Sequence, residues 1–225
     1  MPFAVNIARL RGRVSRIVLT GLATLLVSAG TWQVGSGAWI YAKAAVARVL
    51  LDRSWAASIR GQRPLRPWPG AHVTTVARLR VERLGVDQVL LSGMGGQALA
   101  FGPGLVTLPS QAGQRVLLAA GHRDTHFSWL RALQRGDDLL LELPDERRVT
   151  YRVDSMAVVD SREAPVVSLA ASSTSAGASA TGPDTTTPDT TTPDTLLLST
   201  CYPFDALQAG GPMRLLLRAS RLSST

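Results

Sequence analysis

The stretch Arg115-Val116-Leu117-Leu118-Ala119-Ala120, running straight into Gly121-His122, decides the fold. It is short and apolar enough to read as a strand covered on both faces. Working outward, Val76–Val81 sets Ala77, Leu79 and Val81 against Arg78 and Arg80, the period of two of a half-buried strand. Val86–Leu91 is another, closed by Ser92-Gly93-Met94-Gly95-Gly96. Asp138–Leu143 and Val149–Val153 flank Pro144-Asp145-Glu146-Arg147-Arg148 and read as a hairpin. Val158–Val159, Leu196–Cys201 and Met213–Ala219 bring the strands to about eight. Phe127–Arg135 is the one convincing helix here, about two turns, stopped by Gly136. Many short strands with one or two short helices predict a mainly β domain, closed as an eight-stranded barrel.

The 225 residues include 24 Lys or Arg and 16 Asp or Glu, for a formal charge of +8. Ten of the bases and one acid, Asp52, lie in residues 1–70; residues 71–225 hold fourteen bases and fifteen acids. A nucleic-acid-binding domain carries its basic stripe on the folded body, and this body is near neutral. Nucleic acid is therefore not the expected partner. The basic excess flanks Ile17–Tyr41 instead, 25 residues without a charged side chain. As a helix that run spans about 37 Å, enough to cross a hydrocarbon core of about 30 Å. Trp32, Trp39 and Tyr41 gather towards its end, as rings do at a membrane interface. A cleaved signal peptide would be cut near Ser28-Ala29-Gly30, but the uncharged run continues well past that point.

The expected organisation is a basic cytoplasmic N-terminus over 1–16 and a transmembrane helix over 17–41. A juxtamembrane helix and Pro-rich spacer follow over 42–70, then the folded barrel over 71–225. Basic residues flank the span on both sides, so orientation rests on the ease of translocating a long C-terminal domain. That places the N-terminus in the cytoplasm and the body outside the inner membrane. Within the body, residues 170–195 are rich in Ser, Thr, Ala, Gly and Pro, and repeat Pro-Asp-Thr at Pro183, Pro188 and Pro193. With nothing apolar to bury, the segment reads as a disordered low-complexity insertion.

Cys201 is the only cysteine. A lone cysteine beside an apolar strand is ordinarily a small core residue. Outside the cytoplasm, however, a lone thiol is a chemical liability unless used, and this one stands at a strand end where it can face a cleft. The thiolate is the nucleophile, so such a thiol wants an imidazole or guanidinium beside it. His122 follows the apolar strand Arg115–Ala120 and can move the proton. Arg214 opens the last strand, next to Cys201 if the intervening turn is a hairpin, and can donate to an oxyanion. Arg218 shares its face by parity but lies further from the turn. Asp124 and His126 are expected to support His122 by hydrogen bonds. His122 and His126 also form an H-x-x-x-H pair, but Arg123 stands where a zinc protease helix needs Glu, and His72 lies in the spacer. No metal or other cofactor is expected.

Ala120-Gly121-His122-Arg123-Asp124-Thr125-His126-Phe127, with Leu130, Leu133 and Gly136-Asp137, resembles the histidine segment of sortases. Ser199-Thr200-Cys201-Tyr202-Pro203-Phe204-Asp205, with Gly210-Gly211-Pro212-Met213-Arg214, resembles their cysteine and arginine segments. The tryptophan-rich apolar run, Arg78-Leu79-Arg80-Val81 and Leu99-Ala100-Phe101-Gly102-Pro103-Gly104 are most similar to the Gram-negative class GN sortases. The resemblance covers about residues 20–220 and implies a membrane-anchored cysteine transpeptidase with an eight-stranded barrel. It implies that Cys201 attacks an LPXTG-like C-terminal sorting motif of an exported protein and forms a thioester that an amine acceptor resolves. His122 is then the general acid/base, Arg214 the oxyanion donor, and Thr200 a pocket residue before the cysteine. A hydrolytic cysteine endopeptidase and a non-catalytic membrane-tethered binding module are the competing expectations.

Overall fold

The computed structural model describes residues 3–61, 63–109, 115–163, 193–206, 208 and 210–222. The chain divides into two compact units, Met1–Ala47 and Arg48–Thr225. Helix α1 runs from Phe3 to Gly61 without a break. Within the first unit its Val18, Leu22, Leu26, Trp32, Trp39 and Tyr41 side chains are exposed. A helix apolar all round finds no partner in water, and this one is long and apolar enough to be a candidate membrane span.

The second unit is a closed barrel in the strand order β1-β2-β3-β4-β7-β8-β6-β5. Its strands are β1 (Thr75–Val81), β2 (Val86–Ser92), β3 (Gly104–Pro109), β4 (Arg115–Ala120), β5 (Asp138–Glu142), β6 (Arg148–Asp160), β7 (Thr195–Cys201) and β8 (Met213–Arg221). The β2–β3 and β4–β7 pairs are parallel and the other pairs antiparallel. In β1 the alternation holds as expected: Ala77, Leu79 and Val81 are buried inside. Arg78 reaches Asp87, and Arg80 reaches Glu142 at 3.1 Å.

Eight strands were expected and eight form, yet their identities differ at two places. The segments over 149–153 and 158–159 are one long strand, β6. A register shift between Val153 and Ser155 interrupts its period of two and disguises its continuity. The eighth strand is β3, whose Gly102-Pro103-Gly104 approach reads as loop. A Cβ on Gly104 would stand 2.1 Å from the Gly93 carbonyl oxygen, so only glycine allows this strand to enter beside β2. The short helix α2 (Gly96–Phe101) makes the crossover between these parallel strands.

The helix expected over Phe127–Arg135 is instead a 3-10 turn over Ser128–Ala132. Leu130 N–H donates to Phe127 O at 3.1 Å and Leu133 N–H to Leu130 O at 3.3 Å. Phe127, Leu130 and Leu133 are three apart, and three residues per turn puts all of them into the core. The stretch expected as a spacer is also structured. Leu51 and Trp55 of α1 pack with Ala71, Val73, Val89, Leu91 and Ala98 in a second core outside the barrel. Ser58 Oγ lies 2.9 Å from Thr75 Oγ1 and accepts the Leu65 N–H at 3.1 Å, tying the Pro-rich chain to β1. Most of the 170–195 insertion lies outside the described residues; Thr195, its last residue, already belongs to β7.

Candidate active site

Strand β4 is buried along its length from Val116 to Ala119, as its composition dictates. Its parallel ladder with β7 sets Ala120 opposite Ser199. One residue further on, the Gly121 N–H donates to Ser199 O at 3.2 Å. The Gly121 carbonyl in turn accepts the Thr200 hydroxyl at 2.7 Å. Both polar groups of the Gly121 peptide are therefore spent on β7, and His122 leaves the sheet at the level of the cysteine. A Cβ at Gly121 would meet the buried Phe127 ring at 3.0 Å, which explains the glycine before the histidine. Phe127 N–H closes the loop by donating to His122 O at 2.9 Å.

Cys201 is a free thiol at the end of β7, half-buried. The period of two puts it on the face of Leu197 and Ser199, away from Leu196 and Leu198 inside the barrel. Arg214 is its register partner on β8, and Tyr202 N–H donates to Met213 O at 3.0 Å where the hairpin opens. Arg214 Nη1 donates to Gly211 O at 2.5 Å and Met213 O at 2.9 Å. Its other N–H groups make no hydrogen bond among the described residues. Cysteine, histidine and arginine segments far apart in sequence thus meet at one end of the barrel. Arg218, opposite Leu197, is four residues away and leans on Asp154 at 3.8 Å.

The support expected around His122 takes another form. Asp124 is exposed and accepts Arg123 Nε at 3.1 Å; among the described residues it makes no bond to His122. Burial pushes the His126 imidazole below its ordinary value, and the neighbouring charges of His122 and Arg48 push the same way. A hydrogen bond to the Leu99 backbone on α2 opposes them. His126 is thus a neighbour of His122 that ties the loop to α2. Among the described residues no three metal-ligating side chains gather anywhere. Sequence reasoning passed over Arg123, which is buried and donates to three carbonyls of the loop after the cysteine. An arginine in a polar loop gives no sign of burial until the loop has a partner.

The closed mixed barrel thus brings a half-buried thiol, the histidine loop and a guanidinium to one rim. The family model for the sortase domain matches residues 79–222, and the chain belongs to the sortase family. Among solved structures it is similar to sortase A from Corynebacterium diphtheriae at 19% identity and a TM-score of 0.49. That match covers 69% of this chain and 64% of that one, less than two thirds of its length. It is also similar to sortase C-1 from Actinomyces oris, at 21% identity over 67% of this chain and 74% of that one, TM-score 0.46. Group B Streptococcus Pilus Island 1 sortase C2 matches at 20% identity over 66% and 74%, TM-score 0.46. No curated protein matches the sequence.

Proposed function

We propose that the protein is a membrane-anchored cysteine transpeptidase acting on an exported protein that ends in an LPXTG-like sorting motif. Cys201 Sγ attacks the backbone carbonyl carbon of the motif. Arg214, with one nitrogen held by its own turn and the rest of its fork unengaged among the described residues, donates to the developing oxyanion. His122 gives a proton to the departing amine as the C–N bond breaks, leaving a thioester on Cys201. An amine acceptor then loses a proton to His122 and attacks the thioester carbonyl; the C–S bond breaks, Cys201 leaves as the thiolate and the new amide is released.

One observation carries this reading. The residue before His122 is bonded to the residue before Cys201, through Gly121 and Thr200, while Arg123 just after His122 is bonded to Pro203. The two ties straddle the pair, which supports reading the histidine loop and the cysteine as partners. Thr200 then acts through Gly121, orienting the loop. The apolar part of α1 is read as the anchor, with the N-terminus cytoplasmic and the barrel on the outer side of the inner membrane. The flanking bases meet anionic headgroups there. The segments named above support placement among the class GN sortases of Gram-negative cells.

The full chain in detergent, offered LPXTG-like peptides with and without a triglycine acceptor, tests the reaction. The expected result is a peptide–triglycine amide and, by mass spectrometry, a thioester adduct on Cys201. Cleavage with no amide at any acceptor concentration would make the protein a hydrolytic endopeptidase. Binding without an adduct would make it a binding module.

A further inference from the structure

The buried charge at Arg123 has no part in the chemistry just described. Its side chain is 7% exposed, yet Asp124, its one carboxylate partner among the described residues, is 67% exposed and out in water. A guanidinium withdrawn from water is costly unless its donors are engaged. Here Nη1 donates to Pro203 O at 2.6 Å, and Nη2 to Ala206 O at 2.6 Å and Gln208 O at 3.3 Å. With Nε on Asp124, four of its donor hydrogens are spoken for. The three carbonyls belong to the connection from β7 to β8, whose described residues form no strand. A second arginine of the same segment, Arg131, covers the Phe204 ring of that connection at 5.3 Å.

That connection starts at the residue after Cys201 and ends at Pro212, two residues before Arg214. Arg123 is the residue after His122. We propose that Arg123 is a positioning residue, a clamp that fixes the cysteine–arginine connection against the histidine loop and thereby sets thiol, imidazole and guanidinium relative to one another. It touches none of the reacting atoms. The planar fork suits three carbonyls set apart around it, whereas the single ammonium of lysine reaches only part of the set. The proposal rests on the reading of Cys201 and His122 as the reacting pair.

The test needs no knowledge of the substrate. The rate of alkylation of Cys201 by iodoacetamide is measured against pH on the full chain in detergent. Wild type, His122→Ala, Arg123→Ala and Arg123→Lys are compared, with hydrogen exchange followed in the same samples. Arg123→Ala is expected to speed exchange of the 202–212 amides by about tenfold while the β4 and β7 amides keep their protection. Its alkylation profile should move most of the way to that of His122→Ala. Guanidinium added well below denaturing concentration should restore it, which a purely structural role does not predict. Arg123→Lys keeps the charge and serves if the alanine variant does not fold; its profile should fall between wild type and His122→Ala. If wild type and His122→Ala superpose, the reacting pair itself is wrong and the clamp falls with it. If those two differ while Arg123→Lys and every folded Arg123→Ala sample superpose on wild type, the clamp alone is overturned.

Discussion

At one end of the β7–β8 ladder Arg214 stands opposite Cys201; four residues on, Arg218 stands opposite Leu197. Both are arginines on the same face of one strand, and sequence separates them only by distance from a turn. Their surroundings separate them further. Arg214 lies beside the open connection, with one nitrogen anchored on Gly211 and Met213 and the others unengaged among the described residues. Arg218 lies beside the buried Leu197 and β6, near Asp154, whose carboxylate also takes the Ser220 hydroxyl. What a guanidinium can do is thus decided by the chain it neighbours. At the strand end Arg214 is fixed by two carbonyls of its own turn, whereas mid-ladder Arg218 makes no hydrogen bond among the described residues and only leans on Asp154.

Several substitutions can break or sharpen that contrast. Cys201→Ala and His122→Ala should abolish thioester formation with a sorting peptide, read as the loss of the acyl adduct by mass spectrometry. An adduct in either variant would remove that residue from the pair. Next in size, Arg214→Ala should lower kcat by about 10²–10³-fold with the thermal transition nearly unchanged. Arg218→Ala should leave turnover close to wild type and shift stability by no more than about 1 kcal/mol, as a part-exposed ion pair does. Equal losses of kcat at the two arginines would end the distinction drawn here.

The smallest effect concerns His126, whose lowered value makes the folded protein resist protonation. The unfolded chain takes up that proton first, so its contribution to stability is full above about 6.5 and lost as pH falls through the lowered folded value. His126→Asn should remove this part of the pH dependence. Urea midpoints on either side of pH 6.5 measure it, and an unchanged slope would show that burial of the ring is not felt.

Where side chains alternate cleanly, the strands were legible before any coordinates. Val76–Val81 needed only its period, and Leu196–Cys201 and Arg115–Ala120 only their apolar runs. Legibility failed where backbone, not side-chain pattern, carries the element. Gly104 enters β3 because it lacks a Cβ, and the shift near Asp154 hides half of β6. The 3-10 turn was within reach, since Phe127, Leu130 and Leu133 recur every three residues rather than alternating three and four. At the site, Cys201, His122 and Arg214 were nameable because few residue types can do the proposed chemistry. Arg123 was not, because its meaning lies in three carbonyls some eighty residues away.

By itself, then, the sequence determined that an apolar helical stretch precedes a neutral body of short strands, and which three side chains are worth bringing together. These are local properties, set by hydropathy, period and functional-group chemistry. Only the tertiary structure decided that β4 and β7 run parallel with Ala120 level with Ser199, and that the end of α1 packs on the body it leads into. It also decided that Arg123 is buried between the histidine loop and the connection after the cysteine. Barrel closure fixes these together, because one register around eight strands determines which distant loops share a rim.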